Sequence, residues 1–266
     1  MKKALTIAGS DSSGGAGIQA DIKTFQELGV YGMTALTVIV AMNPHDGWGH
    51  QVFPVETDVI KAQLETSIAG IGVDALKTGM LPTAEIIELA AFTIKKHDVQ
   101  NIVIDPVMVC KGAGEPLNPE SAGCYSKTLL PLATVVTPNV FEAVQLSGMN
   151  AIETAQDMKE AARIIYGLGA KSVVIKGGKV LDGENAIDVF YDGKNFEALS
   201  APRVDTTNTH GAGCTFSAAI TAQLAKGASI QSAVATAKTF VTEAIKHSFR
   251  LNQYIGPTDH SAYNRK

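Results

Sequence analysis

The sequence is short of cysteine, of long apolar runs and of blocks of like charge, and each scarcity removes a class of protein. Its three cysteines, Cys110, Cys124 and Cys214, are odd in number and lack metal-ligand spacing, so a disulfide scaffold and a structural zinc site are both poor readings. The longest apolar run, MTALTVIVAM, falls short of the roughly 18 residues a membrane helix requires. The opening MKKALTIAGSDSSGGAG carries two lysines before an apolar stretch too short for a signal core, so it reads as a first strand and the chain as cytoplasmic. A net charge of −4, spread without long runs, gives no reason to expect nucleic acid or an anionic membrane as partner. Repeats, low-complexity segments and linkers are also missing, so residues 1–266 read as a single domain.

What is present suits an α/β enzyme: 45% hydrophobic residues can bury a full core in 266 residues. Six β-rich runs, KALTIAG, TALTVIVAM, ALKTGM, NIVIDPVMV, TVVTPN and SVVIKGG, alternate with helical patterns. That alternation predicts a doubly wound, mostly parallel sheet with helices on both faces. One helix should bury Ile18, Ile22, Phe25 and Leu28 and close at Gly29. Another should start at Thr154, with Asp157 at its positive end and Met158, Ala162, Ile165 and Leu168 inward. Asp192-Gly193 lies between two strand-like runs and predicts an antiparallel hairpin near the sheet edge, after which two long helices close the domain.

Chemistry concentrates in DTTNTHGAGCTFSAAITAQLAKG, residues 205–227. Phe216, Ile220 and Leu224 keep helical spacing and Gly227 is placed to end the helix, so Gly211, Ala212 and Gly213 sit at its amino end. Unpaired amides and a positive dipole at such an end bind anions, including a phosphoryl group in transfer. Cys214 then faces the attacking hydroxyl, where a general base would stand; a thiol pKa of about 8.5 is expected to fall there. His210 and Cys214 are also open to a thiol-histidine hydrolase reading, which lacks an identifiable third group.

The other loops follow strands, where ligands bind in open α/β sheets. GSDSSGGAG at 9–17 has neither the P-loop lysine nor a GxGxxG pattern; Ser10 and Asp11 hold a small polar ligand there or simply shape a tight turn. Residues 103–117 read as a small lid carrying Asp105, a metal or phosphate residue or a turn former, and Cys110, whose neighbour Lys111 favours its thiolate. Asn139 and Glu142, three apart, suit Mg2+ or a helix cap, and Lys176 beside two glycines suits phosphate or a solvated turn. Cys124 is assigned to structure, and His45, His50, His97, His247 and His260 to surface or capping roles.

Taken in order, GSDSSGGAGIQAD, KTGM, DPVMV, TPNVFE, KGG and HGAGCT resemble the ribokinase-superfamily vitamin kinases over nearly the whole chain. Within them the chain is similar to the hydroxymethylpyrimidine kinases, and most of all to the pyridoxal kinases of paired-cysteine type. The resemblance implies ATP and Mg2+ as cofactors and phosphoryl transfer to a hydroxymethyl group on a heteroaromatic ring. It implies ATP contacts from Asn139, Lys176, Gly177, Gly178, Asp188, Gly213 and Lys238, and Mg2+ held by Asp105 and Glu142. It implies an acceptor pocket of Ser10, Asp11, Asp21, Met42, Met80, Val107 and Cys110, with Cys110 able to add to the pyridoxal aldehyde. Catalysis would rest on the 211–213 amides, with Cys214 taking the hydroxyl proton near His210. Met42 replaces the glutamine common among the pyrimidine kinases, and a thioether hydrogen-bonds a pyrimidine poorly, which favours pyridoxal, pyridoxine and pyridoxamine over hydroxymethylpyrimidine. A homodimer is the family's habit. A noncatalytic vitamin-binding protein is the reading from another class.

Overall fold

The computed structural model describes residues 1–108, 120–178, 181 and 183–265. Nine strands form one sheet: β1 (Lys3–Asp11), β2 (Tyr31–Asn43), β3 (Gly49–Pro54), β4 (Ala75–Thr78), β5 (Ile102–Ile104), β6 (Val135–Val136), β7 (Val173–Lys176), β8 (Asn185–Tyr191) and β9 (Phe196–Pro202). Their spatial order is β3-β2-β1-β4-β5-β6-β7-β8-β9. The six runs read from the sequence supply β1, β2, β4, β5, β6 and β7, and these pair in parallel throughout. Central strands of this kind are covered on both faces, which is why β1 alternates Leu5 and Ile7 with Ala4, Thr6 and Ala8 and buries all five.

The helices are α1 (Gly17–Glu27), α2 (Thr57–Leu64), α3 (Ala84–Lys96), α4 (Glu120–Cys124), α5 (Val140–Ser147), α6 (Ala155–Gly167), α7 (Ala212–Ala225) and α8 (Ile230–Lys246). Leu5, Ile7, Leu76, Ile102 and Ile104 meet α2, α3, α5 and α6 on one face of the sheet. Ala4, Ala75, Val103, Val135 and Val174 meet α1, α7 and α8 on the other. Each fully buried Leu, Ile or Val contributes about 1.5 to 3 kcal/mol, so both layers stabilise the sheet that carries the loops.

Several local expectations hold. Thr154 caps α6 by accepting from the Asp157 amide (3.1 Å), and the Asp157 carboxylate accepts in turn from the Thr154 amide (2.9 Å). The hairpin at Asp192-Gly193 joins antiparallel β8 and β9 at one sheet edge. Gly227, at φ +88°, follows the last turn of α7.

Other expectations need correction. On α1 the fully covered residues are Ala20, Asp21, Thr24 and Phe25, with Ile18 and Ile22 only half-buried, because the helix is rolled so that a polar pair points into the sheet. Helix α7 is buried well beyond the stripe of Phe216, Ile220 and Leu224, since α1 and α8 flank it while the sheet lies beneath. The antiparallel strand β3, on the other edge, was not anticipated; its last four residues are exposed, so it shows no buried-face alternation. Cys110 and most of the lid proposed for 103–117 lie outside the described residues. Among the described residues no helix is long and apolar enough to cross a membrane.

Candidate active site

Chain order reverses between β1 and β4, and the loops at the carboxyl ends of the parallel strands open into one cavity of about 800 Å3. That position is where open α/β sheets bind ligands, and the volume suits a nucleotide together with a small acceptor. Two glycine loops meet at its centre. Gly15 lies so close to Gly211 that a Cβ on Gly211 would fall 1.8 Å from the Gly15 carbonyl oxygen, and Gly211 itself has φ +80°. Glycine is required there both for the contact and for the backbone.

The second loop ends at the first turn of α7. The Ala212 amide donates to the Thr209 carbonyl (3.2 Å), so it is not open to a ligand, contrary to the reading that made 211–213 a run of three donors. No described residue accepts from the amides of Gly211, Gly213 or Cys214. Carbonyl use accounts for the pattern: the Thr209 and His210 carbonyls, one turn before Gly213 and Cys214, accept from the Ala212 and Thr258 amides instead. The Lys176 ammonium stands nearby, 3.4 Å from where a Cβ on Gly213 would lie. Open amides beside a lysine are suited to charge on phosphoryl oxygens.

Cys214 lines the cavity together with Gly17, so the amino ends of α1 and α7 converge there. The expected fall in the Cys214 pKa does not occur. Burial pushes the thiol up to about 11, against the opposing pull of the Lys77 ammonium, because desolvating a thiolate costs more than that pull returns. At neutral pH the group is a thiol.

On one side of Cys214 the wall is apolar. Val38, Val40 and Met80 form a small cluster with Val107 packed on it, and Met42 stands opposite His50 in the β2–β3 register. Ser10 also lines this side, its hydroxyl accepting from Gln19 (2.7 Å). Asp11 is at the surface of the cavity, but its carboxylate already accepts from the Ser13 amide and hydroxyl (2.8 and 2.9 Å) and the Ala16 amide (2.8 Å). Its Oδ2 also lies 2.6 Å from His210 Nε2. Burial opposes the charge, yet the bonds from His210 and Ser13 outweigh it and hold the carboxyl at about 2. Asp11 therefore ties the two glycine loops together.

Asp21 does not line the cavity. It lies on the buried face of α1, where both its oxygens meet the Lys77 ammonium at 2.9 Å and Thr6 donates at 2.6 Å. Lys77, a residue the sequence reading passed over, reaches the cavity wall instead.

The other side is charged. Asp105 accepts from Lys176 (2.8 Å) and Thr137 (3.2 Å) on one oxygen and from Ser217 (3.2 Å) on the other. Asn139 and Glu142 form a reciprocal cap on α5, with bonds of 2.8 and 2.9 Å, so the capping alternative for Asn139 is realised while both residues still face the cavity. Burial raises the Glu142 carboxyl to about 7; Lys176 opposes the rise and the neighbouring Asp105 charge adds to it. Lys238 bonds Asp188 (2.9 Å) and the Ala186 carbonyl (3.0 Å), and Asp188 also accepts the Gly177 amide (3.0 Å). Gly177 is thus wall structure: a Cβ there would strike the Ile187 carbonyl oxygen at 2.1 Å, and Gly178 rather than Gly177 reaches the cavity.

With this arrangement in view, the sequence matches the phosphomethylpyrimidine kinase family over residues 11–259. The chain belongs to that family. It is 66% identical to the pyridoxine kinase of Bacillus subtilis over 262 residues, covering 98% of this chain and 97% of that one. The B. subtilis pyridoxal kinase solved as an ADP complex superposes with a TM-score of 0.97 at 65% identity, with full coverage of both chains. A Staphylococcus aureus pyridoxal kinase bound to AMP-PCP and pyridoxal gives 0.94 at 52% identity, covering 100% of this chain and 95% of that one.

Residues of this phosphomethylpyrimidine kinase family member that sequence reasoning missed fall into two sets. Val204, Val241, Thr242 and Ile245 also line the cavity, but the three on α8 are indistinguishable in sequence from core. His50 and His260 were assigned to surface or caps, whereas His50 lines the cavity and His260 is buried. The cap assignments of His97 and His247 fit the carboxyl ends of α3 and α8.

Proposed function

We propose that this chain transfers the γ-phosphoryl group of ATP to the hydroxymethyl group of B6 vitamers, pyridoxal foremost, giving pyridoxal 5'-phosphate. The observation that carries the reading is the position of the open Gly213 and Cys214 amides, between an apolar pocket for a ring and a lysine- and carboxylate-lined trough for a polyphosphate. Alignment and charge neutralisation dominate phosphoryl transfer, and this cavity offers both. The pyridoxal and AMP-PCP held by the S. aureus relative support it. Met42, facing His50, disfavours a pyrimidine amino group and argues for B6 over hydroxymethylpyrimidine, the reading closest to the family's description.

Asp105 and Glu142 fit a hard divalent cation. Two buried carboxylates lie beside one lysine, and burial leaves Glu142 half-protonated near neutrality, a cost that Mg2+ with its retained waters would offset. Its binding should weaken as pH falls through about 7, and Glu142→Gln should remove that pH dependence; an unchanged Mg2+ requirement in the variant would oppose the role.

A coupled ADP assay with pyridoxal, pyridoxine, pyridoxamine and hydroxymethylpyrimidine tests the whole reading. Preference for hydroxymethylpyrimidine would transfer the chain to thiamine chemistry, and pyridoxal binding without ADP formation would make it a noncatalytic carrier. Cys110 is proposed to add its sulfur to the pyridoxal aldehyde, the thiol proton passing to the carbonyl oxygen. An unchanged pyridoxal-to-pyridoxine ratio in Cys110→Ala would reject this. A homodimer through the exposed Ile39, Val52 and Phe53 of the β2–β3 edge, and a cytoplasmic location, belong to the same proposal; sedimentation and cell fractionation test them.

A further inference from the structure

We infer that the carboxyl-terminal segment 256–260 is a positioning brace for the anion-binding loop, acting through a buried hydrogen-bond chain from His260 to Thr215 to the Gly211 carbonyl. The inference rests on the kinase reading and assigns to that reaction residues that do not line the cavity.

After α8 the chain turns back across the amino end of α7. Asp259 is fastened to α8, its amide donating to the Ala244 carbonyl (2.9 Å). Pro257 then forms an isolated parallel bridge with His210: the His210 amide donates to the Gly256 carbonyl (3.1 Å) and the Thr258 amide to the His210 carbonyl (3.2 Å). The same proline rests on the first glycine loop, its Cβ 3.0 Å from where a Cβ on Gly15 would lie. Both loops that meet at the cavity centre therefore share one support.

The chain of polar atoms beneath them points at a single peptide. Thr215 Oγ1 donates to the Gly211 carbonyl (2.9 Å), which also accepts the Thr215 amide (2.8 Å). His260 Nε2 lies 3.0 Å from that hydroxyl and Thr258 Oγ1 3.4 Å from it. A hydroxyl has one proton, and here it is committed to the carbonyl, so Nε2 carries the hydrogen and donates. Burial lowers the His260 pKa to about 4, so the ring is neutral and the direction of the chain is fixed at working pH. Thr215, Thr258 and His260 are all buried. Fixing the Gly211 carbonyl holds the Gly211–Ala212 peptide and, through the bond to the Thr215 amide, the first turn of α7 that carries the Gly213 and Cys214 amides. Catalysis by prepositioned donors is sensitive to aim, and a displacement of about 1 Å costs as much as about a hundredfold.

The test compares His260→Leu, Thr215→Val, the double variant and His260→Gln, whose amide can replace the Nε2 donor. Turnover and KM for ATP and pyridoxal are measured well below each melting temperature. Each single loss should lower kcat by about tenfold or more while both KM values stay within about threefold, the signature of aim rather than affinity. Because both residues act in one chain, the double variant should be no worse than the poorer single one, and His260→Gln should recover most of the rate. If His260→Leu does not fold, Thr215→Val against Thr215→Ser makes the same comparison. Wild-type kcat in Thr215→Val, or multiplicative losses in the double variant, would overturn the brace. A wild-type chain that phosphorylates no vitamer would instead overturn the parent reading.

Discussion

The two glycine loops, residues 9–17 and 207–213, have similar composition, each leads into a helix, and they touch at Gly15 and Gly211, yet they are put to opposite uses. In the first, the Asp11 carboxylate gathers the Ser13 and Ala16 amides and the His210 ring, so its donors are spent inside the protein. In the second, no described residue accepts from the amides of Gly211, Gly213 and Cys214, which leaves them open to the proposed ligand. One acidic side chain thus separates a scaffold from the proposed anion site. Glycine content alone does not identify a phosphate loop; what matters is whether another group has already claimed its amides.

The sharpest way to break the contrast is Gly211→Ala. A methyl group 1.8 Å from the Gly15 oxygen, on a backbone at φ +80°, must drive the loops apart. Turnover should fall by about a hundredfold or more, the scale of losing an anion-hole donor, with a lowered melting temperature. Retained activity would mean that the loops need not touch. Next in size is Cys214. If its sulfur accepts the acceptor's proton, the active form is the thiolate, a minority below a pKa of about 11; kcat should climb as pH rises through the alkaline range, and Cys214→Ala should be slow and flat with pH. Near-normal rates in the alanine variant would leave catalysis to the amides and alignment alone.

How much of this was legible in the sequence depends on distance along the chain. The parallel strands, the α6 cap and the hairpin were readable because each depends on neighbours within a few residues. The candidate residues Asp105, Asn139, Glu142 and Lys176 were found because they follow strands, and strand ends converge in this architecture. Asp21 was misplaced because only the roll of α1 decides whether it meets the cavity or Lys77. His260 was dismissed because its partner, Thr215, lies 45 residues earlier and no local pattern marks the pair.

Asp11→Asn probes the scaffold side with a smaller effect. The folded carboxyl is held at about 2 against an ordinary 3.8, so its stabilisation is fully present above about 3.8 and is lost as pH falls towards 2. The variant should melt several degrees below wild type at pH 7, the gap closing across that acidic window, since the bond to His210 loses its charge. A gap that persists at pH 2 would assign Asp11 a role in shape rather than in charge.

The smallest effect is expected at Gly14, and it separates the two loops most cleanly. Gly14 has φ +80°, the same value as Gly211, so backbone strain on adding a methyl group is comparable, about 1 kcal/mol. The surroundings differ: the nearest atom to a Cβ on Gly14 is the Lys23 ammonium at 3.6 Å, on a flexible side chain, whereas on Gly211 it is backbone. Gly14→Ala should therefore lower the melting temperature by a few degrees and leave kcat within about twofold. The two variants share a residue change and a dihedral angle, so any difference in turnover between them measures what contact between the loops adds beyond conformation. Equal losses would mean that strain accounts for both and that the second loop owes its openness to something other than its seat on the first.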